Sequence, residues 1–325
     1  MKVLVTGAAG FIGSHLVEEL VSKGLEVVAV DNLKTGKLEN LRSVIHRISF
    51  HQMDIRSPEI VKFFFGASTV FHLAALADIV PSISDPFEYI DVNVMGTTQV
   101  LEAARVAGVA RLIYAASSSC YGIPTEFPTS EEANLAPKYP YALSKYLGEQ
   151  IFFHWQNLYG LKGLSLRFFN VYGPRSRTGG SYGAVLGVFL AQKMSNMPLT
   201  VVGDGNQKRD FTFVGDVVEA IILAGESVAT NMAINIGTSN PISINELATM
   251  IGGPIDYIPK RPGEPDITHA AINRAQAVLN WSPKTNIEQG IKEVLAAKET
   301  WADAPIWTKE AIELATTDWF RYLGH

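Results

Sequence analysis

The chain has a single cysteine, Cys120, in 325 residues. One thiol excludes an internal disulfide and any zinc site built from cysteines. There is no run of about 18 apolar residues, so no spanning helix is expected. Positive charge is not in excess. Twenty-seven lysines and arginines stand against 32 aspartates and glutamates, a net charge of −5. No long basic stretch is present to follow a phosphate backbone or an anionic membrane. Nucleic acid and membrane are therefore set aside as partners. His15, His46, His51, His72 and His154 share no ligand spacing, and no metal is expected. The chain opens on "MKVLVTGAAG" with no signal-peptide pattern, so a cytoplasmic location is expected. No internal repeat or low-complexity tract interrupts it.

What is present is an alternation of strands and helices. β-branched and apolar runs occur at 2–6 (KVLVT), 26–31 (EVVAVD), 48–54, 68–75, 111–119 and 163–170. Helical patterns separate most of them, including long ones at 86–107 and 137–159. Strands joined by helical crossovers make a parallel sheet covered on both faces. Nearly continuous apolar strands fit that burial. The predicted class is α/β, a Rossmann-type doubly wound sheet, with "MAINIG" (232–237) as a candidate seventh strand. After Asn170 the pattern loosens into a smaller α/β lobe. "GPRSRTGGSYGA" (173–184) reads as a binding loop. A helix at 185–196 and a strand at 199–202 follow, and Ser243 with Glu246 form a capping box for another helix. Residues 1–169, with 209–238 returning to them, are expected to form the cofactor domain. Residues 170–208 and 239–325 form the second lobe and a tail. The tail packs either on the body or on a partner subunit.

Between the first strand and the first helix lies "TGAAGFIGSH". Gly7, Gly10 and Gly13 permit a tight turn and leave room for a pyrophosphate against the backbone. The helix N-terminus behind them offers free N–H groups and a partial positive charge. This context, strand then glycines then helix, is the one a dinucleotide site requires. Asp31 ends the second strand, placed to accept from the adenosine ribose hydroxyls and to repel a 2′-phosphate. No arginine follows it, and Lys34 is the one nearby cation. NAD is therefore expected rather than NADP. Asp54 ends the third strand, where an adenine contact and a plain turn carboxylate are equal readings.

"YPYALSKYLGEQ" (139–150) sets Tyr141 and Lys145 four residues apart on a predicted helix. Alone the pair is common. Together with "TGAAGFIGSH", "DNLKTGK", "HLAA", "NVMGTTQVLEAA", "YAASSSCYG", "RFFNVYGPR" and "GDGNQKRDFTFVGDVVEA", it resembles the extended short-chain dehydrogenase/reductase family. Within that family the chain is similar to NAD-dependent nucleotide-sugar 4-epimerases, over residues 1 to about 295; the tail lies outside the usual pattern.

The resemblance implies that Tyr141 is the acid/base, Lys145 its partner, and Ser117 part of the proton path. A neighbouring ammonium is expected to pull the phenol down from its ordinary value near 10. The resemblance further implies NAD contacts at Gly7, Gly10, Phe11, Ile12, Gly13, Asp31, Asn32, Gly36, Asp54, Ile55, Leu73, Ala74, Ala75, Asn93, Tyr141 and Lys145. A nucleotide-diphosphate sugar, UDP-linked by preference, would meet Ser117, Ser118, Ser119, Tyr141, Asn170, Arg209, Arg261, Asp266 and Thr268. Salt bridges from the two arginines to Asp210 or Glu264 are the competing reading of those positions. Relatives that eliminate water or carbon dioxide carry a glutamate where Ser119 stands, which argues against those reactions. The resemblance also implies that Thr268 falls beside the sugar C2 substituent, where its small side chain is expected to leave room for N-acetyl forms. Cys120 is read as a small packing residue. Helices 86–107 and 137–159 pack a subunit interface in relatives, so a homodimer is expected.

Overall fold

The computed structural model describes residues 1–176, 184–297, 301 and 304–324. In chain order the first half contains β1 (Lys2–Thr6), α1 (Phe11–Ser22), β2 (Glu26–Asp31), β3 (Ile48–Gln52), α2 (Val61–Phe64) and β4 (Thr69–His72). Next come α3 (Ile79–Ser84), α4 (Pro86–Ile90), α5 (Thr97–Val106), β5 (Arg111–Ser117), α6 (Pro140–Tyr159) and β6 (Lys162–Phe168). The second half runs β7 (Asn170–Tyr172), α7 (Val185–Met194), β8 (Leu199–Val202), β9 (Lys208–Arg209), β10 (Phe211–Phe213), α8 (Val214–Glu226) and β11 (Met232–Ile236). It closes with β12 (Ile242–Ser243), α9 (Ile244–Ile251), β13 (Ile255–Ile258), α10 (Asn273–Leu279), α11 (Ile287–Ala296), α12 (Lys309–Ala315) and α13 (Thr317–Leu323).

Seven strands form one sheet in the order β11-β6-β5-β4-β1-β2-β3. Every pairing in it is parallel. The candidate seventh strand is thus an edge strand beside β6. Side chains alternate across the sheet with period two. Val3 and Val5 of β1 pack with α1 and α8 on one face. Leu4, Val70 and Leu112 pack with α2, α5 and Phe152 of α6 on the other. The strand order reverses between β1 and β4, and ligands of open α/β sheets sit at that point, beyond the carboxyl ends of the strands.

The strands read at 48–54 and 68–75 end early, at Gln52 and His72, and three further differences shape the site. The helix predicted over 86–107 is broken: a π-helical turn at Asp91–Gly96 separates α4 from α5. Here Asn93 turns its amide out of the helix, accepting from Leu76 N at 2.8 Å and donating to Leu76 O at 2.9 Å. The strand predicted to 119 stops at Ser117, because the Ser117 hydroxyl accepts from Ser119 N and caps a 3-10 turn. The strand predicted over 163–170 splits after Phe168. Asn170–Tyr172 leaves the sheet and pairs with β10. The capping box of Ser243 and Glu246 is present as predicted. Of the loop read at 173–184, residues 177–183 lie outside the described residues. Among the described residues no helix is long and apolar enough to cross a membrane.

The tail packs on the body. Trp301 and Trp319 are buried, and α12 and α13 join Val80, Val188 and Ile258 in one apolar cluster.

Candidate active site

The turn after β1 is built so that a side chain on its glycines would collide with backbone. Gly7 has φ +70°, and a Cβ there would stand 2.7 Å from Ala74 N. A Cβ on Gly13 would stand 2.0 Å from Gly7 O. Helix α1 begins behind this turn with no side-chain cap, so its first amides remain for an anion. At the end of β2 the Asp31 carboxylate accepts from Ala9 N at 2.9 Å and Leu33 N at 2.8 Å. Burial raises its pKa against the opposing pull of the Leu33, Ala9 and Gly10 amides. Lys34 is ion-paired with Glu88, and Arg56 with Asp54 and Asp91. Lys34 and Arg56 are therefore committed to carboxylates, and Asp31 itself would repel a 2′-phosphate, which fits NAD.

A cavity of about 860 Å³ extends from this turn over the carboxyl edge of the sheet. Its wall includes Gly7, Gly10, Phe11, Ile12, Gly13, Asp31, Asn32, Gly36, Ile55, Leu73, Ala74 and Ala75. Tyr141, Lys145, Asn170 and Arg261 continue the same wall. Residues predicted from one end of the chain to the other are thus brought together. A turn with no room for a Cβ at Gly7 or Gly13, uncapped amides and a carboxylate at the end of β2 fit a dinucleotide.

Helix α6 carries Tyr141 and Lys145 to the wall on one face, one turn apart. Lys145 is buried, and its ammonium lies 4.5 Å from the Tyr114 ring centroid. Burial pushes its pKa down to about 7, opposed by the Glu149 charge. Tyr141 departs from expectation. Burial raises its pKa, and the Ser117 hydroxyl opposes this by hydrogen bonding to the phenol. The pull of an adjacent ammonium does not prevail, because the same burial that raises the phenol disfavours the charged amine. Both groups rest toward their neutral forms.

Other predicted residues stand behind the wall. Ser119 Oγ donates to Ser117 Oγ at 2.9 Å, so the Ser117–Ser119 pair backs Tyr141. Asn93 is fully buried and ties Leu76 to Ser144 of α6. Asp54 accepts from Arg56 and Asn32, and these bonds hold it well below the usual carboxylate range. Thr268 Oγ1 donates to Asn170 Oδ1 at 3.0 Å and accepts from Asp210 N at 3.1 Å. Asp266 is exposed and paired with Lys260. Ser118 and Arg209 also lie outside the cavity wall. Cys120 is buried and its thiol is pushed up to about 12, which suits packing rather than reactivity.

The salt bridges to Glu264 named as the competing reading of the two arginines are present, whereas the tail residues at the wall carry no signal in a single sequence. Glu264 receives Arg261 at 3.0 Å and Arg209 at 3.4 Å, joining two guanidiniums that are each 12% exposed. Trp307 and Trp319 of the tail also line the cavity. His15 reaches Pro174 O at 2.9 Å and fastens α1 to the start of the loop at 173. Glycine spacing and helix periodicity are local patterns; the contacts of Arg209 with Glu264 and of His15 with Pro174 join positions far apart in the chain.

Fold and cavity define a parallel-sheet dinucleotide enzyme with a tyrosine–lysine pair at its wall. Residues 3–237 match the NAD dependent epimerase/dehydratase family, and the chain belongs to it. The chain is 37% identical to the UDP-glucose 4-epimerase of Mycolicibacterium smegmatis, covering 91% of this chain and 97% of that protein. It is similar to the crystal structure of UDP-glucose 4-epimerase from Thermotoga maritima with UDP-glucose. There the TM-score is 0.87 and the identity 34%, covering 92% of this chain and 99% of that one. The Thermus thermophilus UDP-glucose 4-epimerase complex with NAD gives 0.84 and 35%, covering 92% and 99%.

Proposed function

We propose that the protein catalyses NAD-dependent C4 epimerisation of a nucleotide-diphosphate sugar, with UDP-glucose and UDP-galactose as its first substrates. One observation carries the reading: Tyr141 and Lys145 share a single cavity wall with the glycine turn and Asp31. Glycine turn, Asp31, Asn32 and Gly36 hold the adenosine and diphosphate half of NAD. Lys145 holds its other ribose. When bound, NAD supplies the hydride acceptor and donor, together with a positive ring that favours the phenolate. Tyr141 takes the proton of the C4 hydroxyl as a general base and returns it as an acid. Ser117, whose hydroxyl draws the phenol's pKa down against burial, relays that proton and holds the C4 oxygen. The 4-keto sugar then turns and presents its other face.

Ser119 supports epimerisation over dehydration and decarboxylation, since its hydroxyl is engaged with Ser117 and offers no base for a carbon-bound proton. Arg261 and Arg209 are the phosphate clamps, arranged around Glu264. Thr268, bonded to Asn170 of the wall, is assigned to the C2 side of the sugar. Thr268 supports entry of N-acetyl sugars. Residues 1–169 with 209–238 serve the cofactor, and 170–208 with 239–325 the sugar nucleotide. A homodimer through α4, α5 and α6 fits the exposed apolar side chains Phe87, Met95, Val106, Leu143 and Leu158 on that side. The test incubates the protein with UDP-glucose and UDP-N-acetylglucosamine and no external reductant. Formation of both C4 epimers is expected. A 4-keto-6-deoxy product would replace the reading, and turnover of UDP-glucose alone would remove the N-acetyl substrates.

A further inference from the structure

The last two helices hold none of the cofactor or Tyr–Lys motifs, yet Trp319 of α13 lines the cavity. Trp319 on α13 is 1% exposed. Its Nε1 donates to Pro262 O at 2.7 Å. The Arg261 guanidinium stands 5.9 Å from its ring centroid, and the Tyr139 ring lies 5.9 Å away. Beside it, Leu323 lies under Gly263, where a Cβ would come within 3.8 Å of Leu323 Cβ. Loop 261–264 therefore rests along α13. That loop supplies Arg261 and Glu264 to the cavity wall, while Tyr139 is the N-cap of the helix that carries Tyr141. The segment is itself fastened to the body: Gln192, buried on α7, donates to Trp307 O at 2.7 Å.

We propose that Trp319 is a positioning residue for the phosphate end of the substrate, making the C-terminal helices a working part of the active site. An indole suits this role because its face attracts a guanidinium while its N–H fixes the neighbouring carbonyl. Without it, Arg261 keeps its ion pair with Glu264 but loses the surface that aims it into the cavity. The inference rests on the nucleotide-sugar reading above.

The test measures UDP and uridine binding by calorimetry, and bound NAD content, for wild type, Trp319→Ala, Trp319→Phe and Leu323→Ala. Trp319→Ala should weaken UDP about tenfold, the size of a desolvated cation–π contact, and weaken uridine less. Trp319→Phe keeps a face for Arg261 and should recover most of the affinity. Leu323→Ala should shift UDP in the same direction as Trp319→Ala, so the proposal stands on more than one variant. NAD content should stay at the wild-type level. Wild-type affinity for UDP in the alanine variants would overturn the inference, as would equal losses of UDP, uridine and NAD. Wild-type protein that binds no UDP would instead overturn the substrate class itself.

Discussion

Glu149→Gln tests how the catalytic helix is held. Glu149 faces inward from α6, one turn beyond Lys145, and meets Arg167 of β6. Its carboxylate receives Arg167 Nη2 at 2.7 Å, Arg167 Nε at 3.1 Å and Ser165 Oγ at 2.6 Å. The two side chains are 1% and 4% exposed. Glutamine keeps the shape but leaves the guanidinium with neutral acceptors, Tyr121 Oη and Glu131 O. Removing one partner of a buried pair costs roughly 3–5 kcal/mol, because the remaining charge stays buried. Unfolding entropy of about 2.1 cal/mol/K per residue gives roughly 0.7 kcal/mol/K for 325 residues. The variant should therefore melt about 4–7 °C below wild type by calorimetry at pH 7. Glu149→Leu combined with Arg167→Met removes both charges and should regain much of that loss. A single variant melting within about 1 °C of wild type would refute the reasoning, since it would mean the pair is not desolvated.

Three further outcomes follow from the same geometry. Tyr141→Phe should lower kcat by about 10²–10⁴ while UDP and NAD binding persist, read by steady-state kinetics and calorimetry. Gly13→Ala puts a Cβ 2.0 Å from Gly7 O, so purified protein should carry little NAD, measured by extraction and absorbance. Burial lowers Lys145 from 10.5 to about 7, so between those values the unfolded chain holds a proton that the native state lacks. Its contribution to stability is full above pH 10.5 and is lost as pH falls through about 7. Urea unfolding across that range should show the slope, and Lys145→Met should remove it.

Much of the sheet was readable because its signals are local. Strand runs, helix periods, the glycine turn and the Ser243–Glu246 box each lie within a dozen residues. The element ends were less readable. Ser117 stops its strand through a bond to Ser119 N, and Asn93 opens a π turn by reaching Leu76. Such contacts leave no periodic trace. The Tyr–Lys pair and the glycines lie at one cavity, as their order along the chain suggested. At the substrate end the sequence pointed to Asp266, yet Glu264 lines the cavity and Asp266 faces solvent beside Lys260. Of the two arginines that meet Glu264, Arg261 stands three residues away and only Arg209 is brought there by tertiary packing; both pairs match the competing reading of those positions. Trp319 is silent until α13 is seen against Pro262.

The central claim is that the C4 hydrogen leaves and returns within one bound cycle. UDP-glucose carrying deuterium at C4 tests it, with the product analysed by NMR and mass spectrometry in ordinary water. UDP-galactose that retains the deuterium at C4 is the predicted result. Epimerised product with solvent hydrogen at C4 would contradict the account.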